Sequence, residues 1–370
     1  MNEIQTITQE VLWAFFLVSL VLGAISQRTH FCTLGALSDI IHMEDWTRAW
    51  QWILATATAM LGFAYLSDIE AINPAKTLYT SNRLMWLSAI VGGFMFGYGM
   101  VNASGCGNKT LVRIGGGNLK SLVVFIVMGV SAFATLKGLT AVVRAKYFDV
   151  VALDIPSGSH IGSLLSAILG GDAQQLAVYA GYAIGGLFIV IALTRKNFLT
   201  FENAIAGIGV GATVVLLWWV SGHLGFVEEH PETLESVYLG TNSGRIEALT
   251  FVAPSAYLLD WLLFFSDSSK VLTAGVVSAI GVILGANACA LYNKSFRWEG
   301  FADVADLGRH LIGGVLMGVG GVTAMGCTFG QGVSGLSTLS LMSFVAVLSI
   351  VVGAICALKL QAASIEPCTT

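Results

Sequence analysis

The chain has 370 residues, of which 55% are hydrophobic and only 11% charged, and its net charge is −4. That balance excludes a basic nucleic-acid face and leaves no polar segment long enough to bury a soluble core. With 43 glycines and five prolines, the expected class is an all-α polytopic membrane protein of closely packed helices.

The first ten residues, MNEIQTITQE, are acidic. A cleavable leader wants a basic start, so Val11–Ile25 reads as a retained first span. Further apolar runs are Ala49–Leu66, Leu84–Val101, Leu119–Leu136, Leu176–Thr194, Ala204–Gly222, Ala248–Phe265, Val271–Leu291, Leu311–Ala324 and Leu339–Leu358. A bilayer core takes about 20 helical residues, so the count is about nine to ten spans. Leu311–Leu358 carries no Asp, Glu, Lys or Arg; it is too long for one span and should break near Gly326–Gly335. Lys137–Gln175 is mixed and suits an interfacial helix. Phe226–Gly240 is acidic and reads as an exposed loop.

One segment occurs twice. Gly92–Gly117 reads GGFMFGYGMVNASGCGNKTLVRIGGG, and Gly313–Leu336 reads GGVLMGVGGVTAMGCTFGQGVSGL. A shift of 221 residues lays Gly92, Gly93, Gly97, Gly99, Ala103, Gly105 and Cys106 on Gly313, Gly314, Gly318, Gly320, Ala324, Gly326 and Cys327. The pattern predicts an internal duplication with two broken, re-entrant helical segments facing one pathway. The expected organisation is a first repeat over 1–136, a connecting region over 137–202 and a second repeat over 203–362, all within one membrane domain.

Orientation follows from charge. Arg195 and Lys196 occupy a short loop and belong in the cytoplasm, which puts Glu228 and the N-terminus outside. Ten crossings would then put both Gly-Cys breaks on one side, whereas an inverted repeat needs an odd number between them. Either the repeat is parallel or one span does not cross fully; the second is the reading adopted.

Backbone freed from a helix inside a membrane must line a wet cavity or find partners. At the first break Gly105 and Cys106 precede Asn108, Lys109 and Thr110, with Arg113 one turn on. A helix start favours an anion, and Lys109 and Arg113 add charge, unless they merely sit at the membrane surface. The second break, Gly326, Cys327, Thr328 and Gln331, is uncharged but rich in hydroxyl and amide groups. One charged and one neutral break suit an anion that must bind and then leave. Arg28–Thr33, with Cys32, and Lys294–Glu299 place basic and aromatic residues just past apolar spans, as an interfacial belt also does. Cys289, Cys356 and Cys368 read as packing residues. None of the six cysteines forms C-x-x-C, no metal-ligand spacing occurs, and His42, His160, His223, His230 and His310 show no usable pairing. No P-loop or cofactor motif is present, and no intramembrane carboxylate stands out as a proton carrier.

At Arg28–Cys32 with its Thr-Leu-Gly-Ala, Gly105-Cys106-Gly107, and Gly326-Cys327-Thr328 with Gly330 and Gly332, the chain resembles the YeeE/YedE family of bacterial inner-membrane transporters for thiosulfate and related sulfur compounds. Weaker similarity covers most of the chain. The resemblance implies an hourglass of helices with segments dipping to its middle. It implies three central cysteines, by position Cys32, Cys106 and Cys327, passing thiosulfate by S–H hydrogen bonds without covalent turnover. It also implies a small cytoplasmic TusA-like sulfur carrier as partner. The first break, GCGNKTLVRIGGG, departs from the Gly-Cys-Thr turn of better-known members, and Lys137–Gln175 is longer than a minimal member needs. The function expected is a permease importing thiosulfate or a related small sulfur anion. A membrane thiol oxidoreductase, or a carrier of another sulfur or selenium species, is the alternative.

Overall fold

The structure, a computed structural model, describes residues 2–155, 158–195, 198–229, 231, 234–267 and 270–365. Lys196, His230 and Cys368 lie outside them. Helix α1 (Asn2–Thr29) breaks at His30–Cys32 before α2 (Thr33–Met43), and α3 (Thr47–Asp68) follows. Helix α4 (Trp86–Asn102) breaks before the short α5 (Gly107–Gly115), which leads to α6 (Leu119–Lys137). The connecting stretch holds α7 (Leu139–Val143), α8 (Ile161–Leu169) and the long α9 (Ala173–Leu193). Helices α10 (Phe201–Ala204) and α11 (Val210–Trp219) run through π turns as one helical body, Phe201–Leu224. Helices α12 (Val252–Leu263), α13 (Ala274–Tyr292), α14 (Val304–Thr323) and α15 (Leu341–Ile365) complete the chain. Among the described residues, sheet is confined to two-residue ladders, Arg83–Leu84 with Leu153–Asp154 and Phe226–Val227 with Val237–Tyr238.

Among the described residues, seven helical segments are long and apolar enough to cross a membrane. Helices α3 and α14, of 22 and 20 residues, run beside them. A helix that is apolar all round divides its surface between protein and lipid. On α1, Val11, Phe15 and Leu22 are buried inward while Trp13, Leu17 and Val21 face out. Charge is spent at the ends of the bundle. Lys120 at the start of α6 pairs with Asp306 at the start of α14 (2.9 Å), and His310, which the sequence left without a partner, bonds the same carboxylate at 3.1 Å.

Apolar burial gives helices little reason to associate within lipid, so close backbone approach has to serve instead. The glycine stripes provide it. A Cβ on Gly92 would stand 2.5 Å from the Ala324 nitrogen, and one on Gly313 would stand 2.5 Å from the Ala103 nitrogen. A Cβ on Gly320 would stand 2.6 Å from the Gly92 carbonyl oxygen, and one on Gly99 would stand 2.9 Å from that of Gly313. Under the 221-residue shift each contact maps onto its reciprocal, as in an isologous two-fold interface, and α4 and α14 run antiparallel. The same reciprocity extends outward. Gly97 seats against Ile350 and Ala354 of α15, and Gly318 against Met128 and Ala132 of α6.

The parity problem has its answer in Ala248–Phe265. Only Val252–Leu263 is helical there, about 18 Å at 1.5 Å per residue, too short for a hydrocarbon core of about 30 Å. The preceding segment runs without helix from Ile246, which bridges Thr77 at one end of the bundle, to Phe251. Phe251 is fully buried beside Phe329 of the second break. The chain therefore dips to mid-depth and α12 carries it back out. Removing this span leaves an odd number of crossings between the breaks, as the antiparallel packing of α4 and α14 requires.

The mixed stretch after Lys137 exposes Leu139, Val142, Ile168 and Leu169 on short helices. In the acidic loop, Glu228, Glu229 and Glu235 are exposed. That loop lies near the first half of α1, since Gly240 touches Val11. Arg195 instead stacks on Trp50, in the first turn of α3.

Candidate functional site

The two breaks have the same backbone. Helix α4 ends at Ala103 and α14 at Ala324, each capped by bonds to the glycine four residues back. Ser104 and Met325 then take left-handed φ values of 56° and 57°. The next amide turns back into the helix end, Gly105 N to the Met100 carbonyl at 2.9 Å and Gly326 N to the Gly321 carbonyl at 2.8 Å. Cys106 and Cys327 follow, and their carbonyls accept from Thr110 N and Gln331 N at 2.9 and 2.8 Å. At the third cysteine, His30 is also left-handed, with φ 52°, two residues before Cys32. A non-glycine residue in this region costs about 1–3 kcal/mol and persists where surrounding structure enforces it.

Each thiol sits at the start of a helical segment, and two of them act there as acceptors. Gly35 N donates to Cys32 Sγ at 3.4 Å and Gly330 N donates to Cys327 Sγ at 3.3 Å, whereas Cys106, before α5, makes no such cap. In both bonds the donor lies three residues on, as in an N-cap. Sulfur that accepts from its own helix keeps its S–H free to donate elsewhere. The Cys32 and Cys106 thiols lie within hydrogen-bonding reach of each other, and the Thr328 hydroxyl lies beside Cys106. Thr328 Oγ1 is buried and completes no well-formed bond. The two breaks therefore meet at Cys106 and Thr328, and Cys32 joins them from a third element. All three cysteines are buried. Phe329 is flanked edge-on by Phe31 and Phe251 at 6.4 and 5.4 Å between ring centres, an apolar collar around the meeting point.

From Cys32 a cavity of about 500 Å³ opens to one end of the bundle, lined by His30, Arg48, Ser104, Lys109 and Arg113 among others. A second cavity of about 480 Å³ shares His30, Lys109 and Arg113 and adds Arg297 and Glu299. Together they form one vestibule dominated by cations, which concentrates anions in front of a low-dielectric throat. Lys109 is half-buried on the first turn of α5. Arg113 donates from Nη1 to the Ser104 carbonyl at 2.7 Å, so it also braces the left-handed residue of the first break.

The remaining expected residues divide by what they touch. Asn108 is buried; its Nδ2 reaches Ser26 at 3.5 Å while Oδ1 is unpaired. Gln331 is committed at both ends of its amide. Nε2 donates to the Ala324 and Met325 carbonyls at 2.8 and 3.1 Å, and Oε1 accepts from Ser343 at 2.6 Å. In this geometry it caps the end of α14. Gly105 and Gly326 form the turns that set the cysteines in place.

Three participants were not legible. Arg48 enters the vestibule from α3 and pairs with Asp39 at 3.3 Å, with no motif around it. Phe251 stands before α12 as Cys32 stands before α2, but a Phe in place of Cys hides the correspondence. Trp218 supports the second break from below, donating Nε1–H to Ser337 at 3.1 Å between the rings of Phe63 and Tyr79.

A family model described as sulphur transport matches residues 28–356. A thiosulfate transporter TsuA of Spirochaeta thermophila is 27% identical over 355 residues, covering 93% of this chain and 97% of that protein. A thiosulfate transporter TsuA of Escherichia coli is 23% identical over 343 residues, covering 90% of each.

Proposed function

The chain belongs to the sulphur transport family, and on that premise we propose that it is an inner-membrane permease that imports thiosulfate through the cysteine constellation. One observation supports the route above others: the Cys32 thiol lines the cationic vestibule and lies within reach of Cys106, beside which stands Thr328 of the second break, next to the buried Cys327. The full-length match to two relatives named as thiosulfate transporters supports the cargo.

The chemistry suits passage better than capture. Lys109 and Arg113 attract a small dianion, and helix starts present N–H groups to it. Thiols are weak donors to soft sulfur, so each contact is easily exchanged, and conduction needs sites that bind and release. Cys32, Cys106 and Cys327 hand the anion on by S–H hydrogen bonds, with Thr328 and Asn108 supplying harder groups for its oxygens. Gly105 and Gly326 shape the turns, and Gln331 holds the second break in form. No covalent step is needed. A small cytoplasmic sulfur carrier of the TusA type removes the cargo on the inner side.

The test is growth. A host unable to import sulfate or thiosulfate is given thiosulfate as its sole sulfur source, with the intact chain, Cys106→Ala or Cys327→Ser. Rescue by the intact chain and loss in both variants is the expected result. Growth only on another sulfur species would keep the transport class and change the cargo. Full activity of Cys106→Ala would remove the thiol relay, and a disulfide trapped during turnover would favour redox chemistry.

A further inference from the structure

The vestibule opens at one end of the bundle only. At the other end a narrow cleft runs toward the second break, lined by Tyr79, Arg83, Met325, Gln331, Ser340 and Met342 among others. Gln331 and Met325 belong to the break that positions Cys327, so the cleft lies on the far approach to the cysteines.

Two features of its wall leave polar capacity open: one a hydroxyl without a partner, the other a guanidinium bonded to a single carbonyl. Ser340 stands immediately before α15, a 25-residue helix, where a hydroxyl would ordinarily cap the first turn. It is 1% exposed, and its Oγ has no hydrogen-bond partner. The reciprocal position on the other repeat is filled. Asn118, immediately before α6, accepts from Ser121 N at 2.8 Å. An unsatisfied buried hydroxyl is costly, and here it lies at the positive end of a long helix dipole.

Arg83 is the second feature. Its Nη2 donates to the Asp149 carbonyl at 3.0 Å. The Asp149 carboxylate is taken by Arg144 at 3.2 Å and Ser88 at 2.7 Å. Asp154 is its partner in strand register, yet among the described residues no carboxylate comes within 4.0 Å of the Arg83 guanidinium. Arg83 is exposed, and a carbonyl holds its guanidinium in place without a carboxylate partner among the described residues.

We propose that Arg83 and the Ser340 hydroxyl, at the start of α15, form a second docking station for a small oxyanion at the mouth opposite Lys109. The station deepens the thiosulfate reading and names the residues that first or last hold the anion at this end. The cleft has room for about 20 Å³, roughly one water, so it is the closed mouth of the route. Met325 and Met342, unbranched and adaptable, are the side chains that yield when it opens. A guanidinium suits an oxyanion because its N–H groups match two oxygens at once.

The experiment measures equilibrium binding of ³⁵S-thiosulfate to purified protein and its uptake into proteoliposomes, side by side. Arg83→Gln should raise the half-saturating concentration about tenfold, Arg83→Lys and Ser340→Ala about threefold, with maximal rate nearly unchanged. Lys137→Gln, which removes an exposed cation in the last turn of α6, should change neither. Arg83→Lys preserves the charge and guards against a variant that fails to fold. If the intact protein transports and binds but Arg83→Gln leaves both half-saturations at their original values, the docking station is wrong and the permease reading stands. If the protein binds thiosulfate in an Arg83-dependent way but does not transport it, the station stands and the permease reading falls. Absence of both binding and transport overturns both.

Discussion

The first and second breaks share a backbone and differ in almost everything around it. Ser104 and Met325 have φ values one degree apart, and the capping bonds agree within 0.1 Å. Yet the first break looks into an open, cationic vestibule through Lys109 and Arg113, while the second is closed over by Gln331 and Met325. The two breaks share the device that interrupts the helix and presents a thiol. What lies beyond the thiol has diverged, so that one face attracts an anion and the other restrains it.

The strongest way to break the comparison is to remove the contact that makes the halves reciprocal. Gly320→Val should abolish folding, because its new atoms would meet Phe96 N and the Gly92 carbonyl, backbone that cannot swing aside. Overpacking alone costs about 1–3 kcal/mol. Gly186→Ala, whose added Cβ meets nothing within 4 Å, should be tolerated. Yield and thermal unfolding in detergent check both.

Next come the chemical differences between the breaks. Lys109→Gln should raise the half-saturating thiosulfate concentration about tenfold at low salt, with the gap narrowing as salt screens the vestibule. Thr328→Val, which removes a hydroxyl without a committed bond, should cost about threefold and show no salt dependence. Equal salt dependence in the two would erase the distinction between a charged and a neutral break.

The closed end should also respond to acid. His160 caps α8 by accepting from Ser163 N at 3.0 Å through Nδ1, and burial holds its pKa below the ordinary 6.5. A base with a lowered folded pKa contributes stability in full above pH 6.5, and loses it as the pH falls from there toward the folded value. Thermal unfolding should therefore come at lower temperature at pH 5 than at pH 7.5, by a smaller margin in His160→Asn. An unchanged margin would show that the cap is not the titrating element.

The smallest effect tests the shared backbone itself. Ser104→Gly and Met325→Gly relieve the same left-handed strain and loosen the unfolded chain. Each should change stability by no more than about 1 kcal/mol, and by the same amount. Chemical denaturation that separated the two would show that the breaks are held differently.

Much of this was legible in the chain. The glycine stripes and paired Gly-Cys steps are visible because close helix approach admits only residues without a Cβ, and that demand repeats at fixed spacing. The half-depth excursion at Ala248–Phe265 was not, since an apolar run has the same composition whether it crosses lipid or dips among other helices. Gln331 was read by its chemistry, yet its amide is spent on the carbonyls of α14; only coordinates reveal which polar groups are already occupied. Arg48 and Phe251 arrive from elements distant in sequence, and no local pattern announces them.

The mesh of α4 and α14 carries one mechanical consequence. Where two helices touch through main-chain atoms at several levels, with no side chain to slide or rotate between them, they pivot as a single lever. The thiols of the two repeats ride on opposite arms of that lever. Strain introduced at any one of those levels is therefore passed along the pair to both breaks.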